Sequence, residues 1–166
     1  MLTYAITSNT ILSYIDGDKL LERIDQVMKI APYLSFNGNC AEAIAHYEKA
    51  FGVKAQVMLY RDAPPSEGYQ APAGTENYVM HACLTNRSDY TVYLCDVPES
   101  EPKNFGNGMA IAIDLDGMDS VRTAFDVLME GGVVGMELQQ TFWSPCFGSL
   151  TDKFGVGWLI SLGSVS

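Results

Sequence analysis

Asn39-Cys-Ala-Glu-Ala-Ile-Ala-His-Tyr-Glu-Lys-Ala-Phe-Gly-Val53 and Asp119-Ser-Val-Arg-Thr-Ala-Phe-Asp-Val-Leu-Met-Glu-Gly-Gly-Val133 are two versions of one sentence. In the first, Asn39 stands as an N-cap and Ala41–Phe51 forms a helix with Ile44, Tyr47 and Phe51 on one face. Gly52 is its C-terminal stop. In the second, Asp119 or Ser120 is the expected cap, Val121, Phe125 and Leu128 line one face, and Gly131-Gly132 ends the helix. Gly38 to Gly52 spans 14 residues and Gly117 to Gly132 spans 15, and in both a Val opens the next strand. That arithmetic points to an internal duplication.

The surroundings of the two helices agree. Before the first lies an apolar run, 32–36, closed by Asn37-Gly38-Asn39; after it come strand candidates at 53–60, 78–85 and 90–96, the last two joined by a turn over 86–89. Residues 61–77, rich in Pro, Gly, Glu and Ala, read as a mobile loop. The second half repeats the order: a strand at 109–115, a turn at Asp116-Gly117, the helix, then strands near 134–140, 147–150 and 156–162. The expected fold class is α+β, a βαβββ module used twice, over 32–97 and 108–165 within a domain spanning 32–165. Residues 1–31 form an N-terminal extension. In it Tyr4-Ala-Ile6 and Thr10–Ile15 are a possible hairpin, and Asp18 opens a helix carrying Leu20, Ile24 and Val27 that docks on the subunit or across a dimer. The other reading makes Met28 the original start.

Composition narrows the function. The chain has 166 residues, of which 48% are apolar and 18% charged, enough to bury a core without metal or disulfide staples. Ten Lys/Arg against twenty Asp/Glu leave a net charge of −10, which repels phosphate backbones and anionic lipid surfaces, so neither nucleic acid nor membrane is an expected partner. Cys40, Cys83, Cys95 and Cys146 fall in no metal or redox spacing, no secretory leader or membrane span is visible, and a reducing cytoplasmic setting is expected. Dinucleotide, P-loop and nucleophile-elbow motifs are all missing from the sequence.

Pro32-Tyr-Leu-Ser-Phe-Asn-Gly-Asn-Cys-Ala-Glu-Ala-Ile44 with Tyr47 and Ala50-Phe-Gly52 resembles the opening of the PhnB-like proteins. Thr141-Phe-Trp143, Phe147-Gly148 and Thr151-Asp-Lys-Phe-Gly-Val156 with Trp158 resemble that family's closing motif. These proteins belong to the glyoxalase/bleomycin resistance/extradiol dioxygenase group, the vicinal oxygen chelate superfamily. The resemblance implies curled mixed sheets around a shared cavity, usually in a homodimer. Members with proven chemistry hold a divalent metal with His, Gln or Glu. Carried over, those ligand positions fall on Pro32, near Ala110, on Leu159 and within 92–95, where neither His nor Glu stands. No metal and no cofactor are expected. Some members carry a demethylubiquinone methyltransferase label, yet nothing here reads as a nucleotide-methionine site.

The candidate ligand pocket is built from His81, Cys83, Tyr93, Cys95, Phe142, Trp143 and Phe147. His81 and Cys83 share a strand face by the period of two, as do Tyr93 and Cys95, and the last three cluster before the closing hairpin. The competing account has the aromatics filling a groove and His81 bonded to a neighbouring strand. His46 reads as a half-exposed helix residue, Asp152-Lys-Phe-Gly155 as a hairpin turn, and the methionines, Met58, Met80, Met109, Met118, Met129 and Met136 among them, as core filler. The expected function is a metal-free small-molecule binding or sequestering homodimer for a small apolar or aromatic ligand. The alternative is a metal-dependent lyase, isomerase or dioxygenase with ligands relocated around His81, with Glu137 or Asp114 as partner. A third reading is a dimer scaffold whose lead segment recruits a protein. Whether any reaction is catalysed stays open.

Overall fold

Strands begin where the β-branched and aromatic runs lie, and each helix is bracketed by the glycines noted above. The computed structural model describes residues 30–63, 71, 73–86, 90–98, 100 and 103–163. The elements are β1 (Tyr33–Phe36), α1 (Cys40–Phe51), β2 (Ala55–Leu59), β3 (Val79–Asn86) and β4 (Tyr90–Asp96). A second set follows: β5 (Ile111–Leu115), α2 (Met118–Leu128), β6 (Val133–Gln139), β7 (Phe147–Thr151) and β8 (Gly157–Leu162). The hairpin and helix expected within 1–31 lie outside the described residues, apart from Ile30 and Ala31, as does the centre of the 61–77 loop.

Each set forms a four-stranded mixed sheet, ordered β1-β4-β3-β2 and β5-β8-β7-β6. In both, the first strand runs parallel to the last and the other pairings are antiparallel. This is the α+β pair of βαβββ modules that the repeat implied. The helices cover one face of each sheet and pack on each other, so the helix-side residues of both modules form one core. Tyr47 and Phe51 of α1 each meet the Trp158 ring of β8 at 5.3 Å, and Phe36 of β1 meets Phe154 at 6.0 Å. The opposite face of each sheet is therefore turned away from the shared core, and the two open faces do not close on each other within one chain.

Two buried carboxylates hold this arrangement. Asp96, at the end of β4, accepts from the Cys40 amide at the start of α1 and from the Val79 amide, each at 2.9 Å. Asn39 occupies the N-cap position, but its side chain accepts from the Asn37 amide instead. The helix N-terminus is thus capped from 56 residues away, a device open to any acceptor brought there by the fold. Asp152 accepts from the amides of Phe154 and Val156, from the Tyr47 hydroxyl and from the Trp158 indole, all at 2.8–3.0 Å. The hairpin reading of Asp152–Gly155 holds, with Gly155 at φ 88, and the same carboxylate also ties α1 to the second sheet.

Gly52 sits in the left-handed region at φ 66 and stops α1 as expected. Other local expectations differ. Helix α2 starts at Met118 after Gly117, placing Asp119 inside the first turn, where its charge suits the helix dipole, instead of at the cap. No described methionine enters the buried core, and Met58, Met109, Met118 and Met129 are exposed, because Phe, Trp and Leu side chains already fill the space between the sheets and helices.

His46 is buried, at 7% exposure, not half-exposed as the helix alone suggested. The Phe154 ring packs against it with centroids 5.7 Å apart, and its Nε2 has no partner among the described residues. Burial, then the Lys153 charge, holds its pKa below the usual histidine range; Lys49 acts the same way, and Asp152 and Glu130 oppose them. A lowered folded-state pKa means that the unfolded chain takes up this proton first. His46 therefore subtracts stability as pH falls below about 6.5 and has no such effect above it. In urea titrations at pH 7.5 and 5.0, the wild-type midpoint is expected to fall further than that of His46→Phe. Equal falls would show that other groups control the acid limb.

Candidate functional site

The open face of the first sheet is built by strand alternation. Residues 34 and 36 of β1 and 82, 84, 92 and 94 of β3 and β4 point to the core, leaving the odd-numbered neighbours on the other side. The pairing register sets Tyr33 opposite Tyr93, Tyr93 opposite Cys83 and Cys83 opposite Gln56, a row that crosses all four strands. One step along, Ser35 stands opposite Cys95, and Met58 opposite His81. Thr85 and Thr91 complete the face and meet through their hydroxyls at 3.2 Å. In a chain of net charge −10, none of the described residues on this face is Asp, Glu, Lys or Arg.

At its centre the rings of Tyr33, His81 and Tyr93 form a triangle with centroid separations of 5.3–5.9 Å and tilts of 34–44°. The Tyr33 hydroxyl lies 3.1 Å from His81 Nδ1. Ser35 Oγ and Cys95 Sγ lie 3.6 Å apart, the outer limit of a thiol contact. Burial first, and the neighbouring Cys95 second, push the Tyr33 phenol up to about 12, so it keeps its proton across the physiological range. The phenol is the better acid and the imidazole the better base of this pair, an order that suits donation from Tyr33 to Nδ1 in the tautomer with its ring proton on Nε2.

The other three candidates sit on the second sheet. Thr141 and Ser144 close a turn, with the Thr141 amide donating to the Ser144 carbonyl at 3.0 Å and the Ser144 amide donating to Thr141 Oγ1 at 3.1 Å. Ser144 Oγ anchors the turn by donating to the Cys146 carbonyl at 2.9 Å. At its tip Phe142 is 96% exposed and Trp143 57% exposed. Trp143 contacts the Phe142 ring at 4.5 Å and the Phe147 ring at 5.5 Å, both edge-on. Leu159 and Asp114 share the open face of this sheet, with the Ser161 hydroxyl donating to the Asp114 carboxylate. The structure thus joins His81, Cys83, Tyr93 and Cys95 on one face and Phe142, Trp143 and Phe147 on another sheet.

Sequence reasoning missed Tyr33. The ligand count stopped at Pro32, which precedes β1 and has the core-side parity; the open-face positions are Tyr33 and Ser35. At Leu159 the parity holds, and the 92–95 position resolves to Tyr93 and Cys95. The donors at these positions are phenol, hydroxyl and thiol, which do not fit the His/Gln/Glu site of the metal-dependent relatives. Among the described residues no three His, Cys, Asp or Glu side chains stand close enough to hold a metal ion. Asp114 and Glu137 are on the second sheet, away from His81 in the strand order. All four cysteines are free, and burial pushes the Cys40 thiol up. No helix of the described residues is long and apolar enough to cross a membrane.

Comparison with known proteins gives a consistent picture. The family model for the Glyoxalase/Bleomycin resistance protein/Dioxygenase superfamily matches residues 23–160. Protein YjdN of Escherichia coli K12 is 32% identical over 145 residues, covering 81% of this chain and 95% of YjdN. The crystal structure of PA1353 from Pseudomonas aeruginosa superposes with a TM-score of 0.70 at 35% identity, over 81% of this chain and 97% of that one. The PhnB protein of Bacillus cereus superposes with a TM-score of 0.63 at 26% identity, over 82% and 100% of the two chains.

Proposed function

Because the chain belongs to the glyoxalase/bleomycin resistance protein/dioxygenase superfamily, with PhnB-like relatives, we propose that it is a small-molecule binding or sequestering protein that acts as a metal-free homodimer in the cytoplasm. Each pocket takes the Tyr33–His81–Tyr93 face of one chain and the Phe142–Trp143–Phe147 cluster of its partner. One observation carries this reading: two open sheet faces, each with an aromatic cluster, diverge from a single shared core. Neither is covered in the described chain, and a second copy supplies the missing wall for both at once. The ligand is apolar or aromatic, in keeping with the rings that meet it.

The neutral fluorophore N-phenyl-1-naphthylamine tests the reading. Wild-type protein is expected to bind it, and light scattering to give twice the chain mass. Trp143→Ala is expected to weaken binding about tenfold, the worth of one buried aromatic contact, with the far-UV spectrum unchanged. Undiminished binding by that variant would remove the second-sheet cluster from the pocket, and a wild-type monomer that binds as well would remove the partner.

The second reading, an enzyme with metal ligands relocated to His81 and nearby carboxylates, is tested by elemental analysis after purification without chelator. About one metal per chain, lost in His81→Ala, would transfer the protein to that class. The separation of Asp114 and Glu137 from His81 onto another sheet weighs against it.

A further inference from the structure

We propose that the Tyr33–His81–Tyr93 face selects uncharged planar ligands that carry a hydrogen-bond acceptor, a ring nitrogen or a carbonyl, and that the Nε2–H of His81 is the group that meets it. The inference rests on the reading of this face as the pocket floor. Three features of the face lead there.

The first is shape. Three tilted rings within 6 Å of one another form an aromatic platform that suits a flat molecule laid against it. The second is charge. The described residues of the face, from Gln56 and Met58 on β2 through Cys83 to Ser35 on β1, include no fixed cation to pair with an anion and no carboxylate to pair with a cation. A charged ligand pressed onto it loses hydration that nothing on the face replaces.

The third is the one directed donor. The Tyr33 hydroxyl lies 3.1 Å from Nδ1, and with the phenol as donor the imidazole proton is on Nε2. Nε2 has no partner among the described residues, and it is not among the buried polar atoms left without one, so it is open to the exterior. A bound acceptor completes its bonding, and an apolar ligand leaves it unsatisfied. Tyr33 acts here as a positioning residue: it fixes the tautomer and contributes one wall of the platform.

An isosteric series at pH 8 reads each feature separately: quinoline, naphthalene, N-methylquinolinium and 2-naphthoate, titrated by displacement of N-phenyl-1-naphthylamine. Quinoline is expected to bind about tenfold more tightly than naphthalene, the worth of one hydrogen bond, and both ions more weakly than naphthalene. In His81→Phe the quinoline-to-naphthalene affinity ratio is expected to fall to about one, whatever the change in naphthalene affinity itself. In Tyr33→Phe, which frees the tautomer, that ratio is expected to shrink to between one and the wild-type value. Equal wild-type affinities for quinoline and naphthalene, tighter binding of either ion, or a quinoline advantage that survives in His81→Phe would each overturn the proposal while leaving the pocket standing. Failure of all four, and of the fluorophore itself, would overturn the pocket reading beneath it. The wild-type series decides the matter even if the His81 variant does not fold.

Discussion

Asp152→Ala is expected to lower the unfolding free energy by about 3–5 kcal/mol, since each buried donor left unsatisfied costs about 1–3 kcal/mol. The side chain is 4% exposed and accepts four hydrogen bonds. Its loss strands two backbone amides of the β7–β8 hairpin, the Tyr47 phenol and the Trp158 indole, in a place where water cannot replace it. The Tyr47 phenol, already pushed up by burial and by the Asp152 charge, has no second acceptor among the described residues. Urea unfolding checks this: the midpoint should drop with little change in slope. Tyr47→Phe, which removes one of the four bonds and its donor together, should cost about 1–2 kcal/mol. If Asp152→Ala costs less than about 1 kcal/mol, the carboxylate is a local turn former and the link from α1 to the second sheet contributes nothing.

Tyr93→Asp is expected to abolish binding of N-phenyl-1-naphthylamine, a loss of about a hundredfold or more, with a much smaller effect on folding. The position is at the middle of the cross-strand row from Tyr33 to Gln56. A carboxylate there places an unpaired charge beneath an apolar ligand and deletes a ring of the platform, so both changes act against binding. Tyr93→Phe serves as the control, since it keeps the ring and should bind the fluorophore within about threefold of wild type. If Tyr93→Asp binds as well as wild type, the probe sits elsewhere and the open face of the first sheet is not the pocket floor.

The fold was readable because its signals are local and occur twice. Glycine spacing around the two helices and alternation in 90–96 and 156–162 are properties of neighbouring residues, and neighbours are what a sequence displays. The same period of two put His81 with Cys83 and Tyr93 with Cys95 correctly on one face. What escaped was set by contacts across the chain. Asn39 has the right position and chemistry for a cap, yet Asp96 arrives from the end of β4 and takes the helix N-terminus. His46 lies on a helix side that looks half-polar until Phe154 from the far hairpin closes over it. Tyr33 was lost to a one-residue error in parity, which in a strand moves a side chain to the opposite face. The seven pocket candidates were chosen as one group, and only the position of the helices between the sheets shows that they belong to two faces.

The shared core has a consequence for either module taken alone. A fragment holding only residues 32–97 would leave Phe36, Tyr47 and Phe51 facing water, without Trp158 or Phe154 to cover them. A lone module of this kind would have to lend its bare side to a second copy in order to cover these rings. Joined in one chain, the two modules meet at the helices without the concentration dependence that separate modules would have. The outer faces differ in character: the described residues of the first are uncharged and aromatic, and the second carries Asp114.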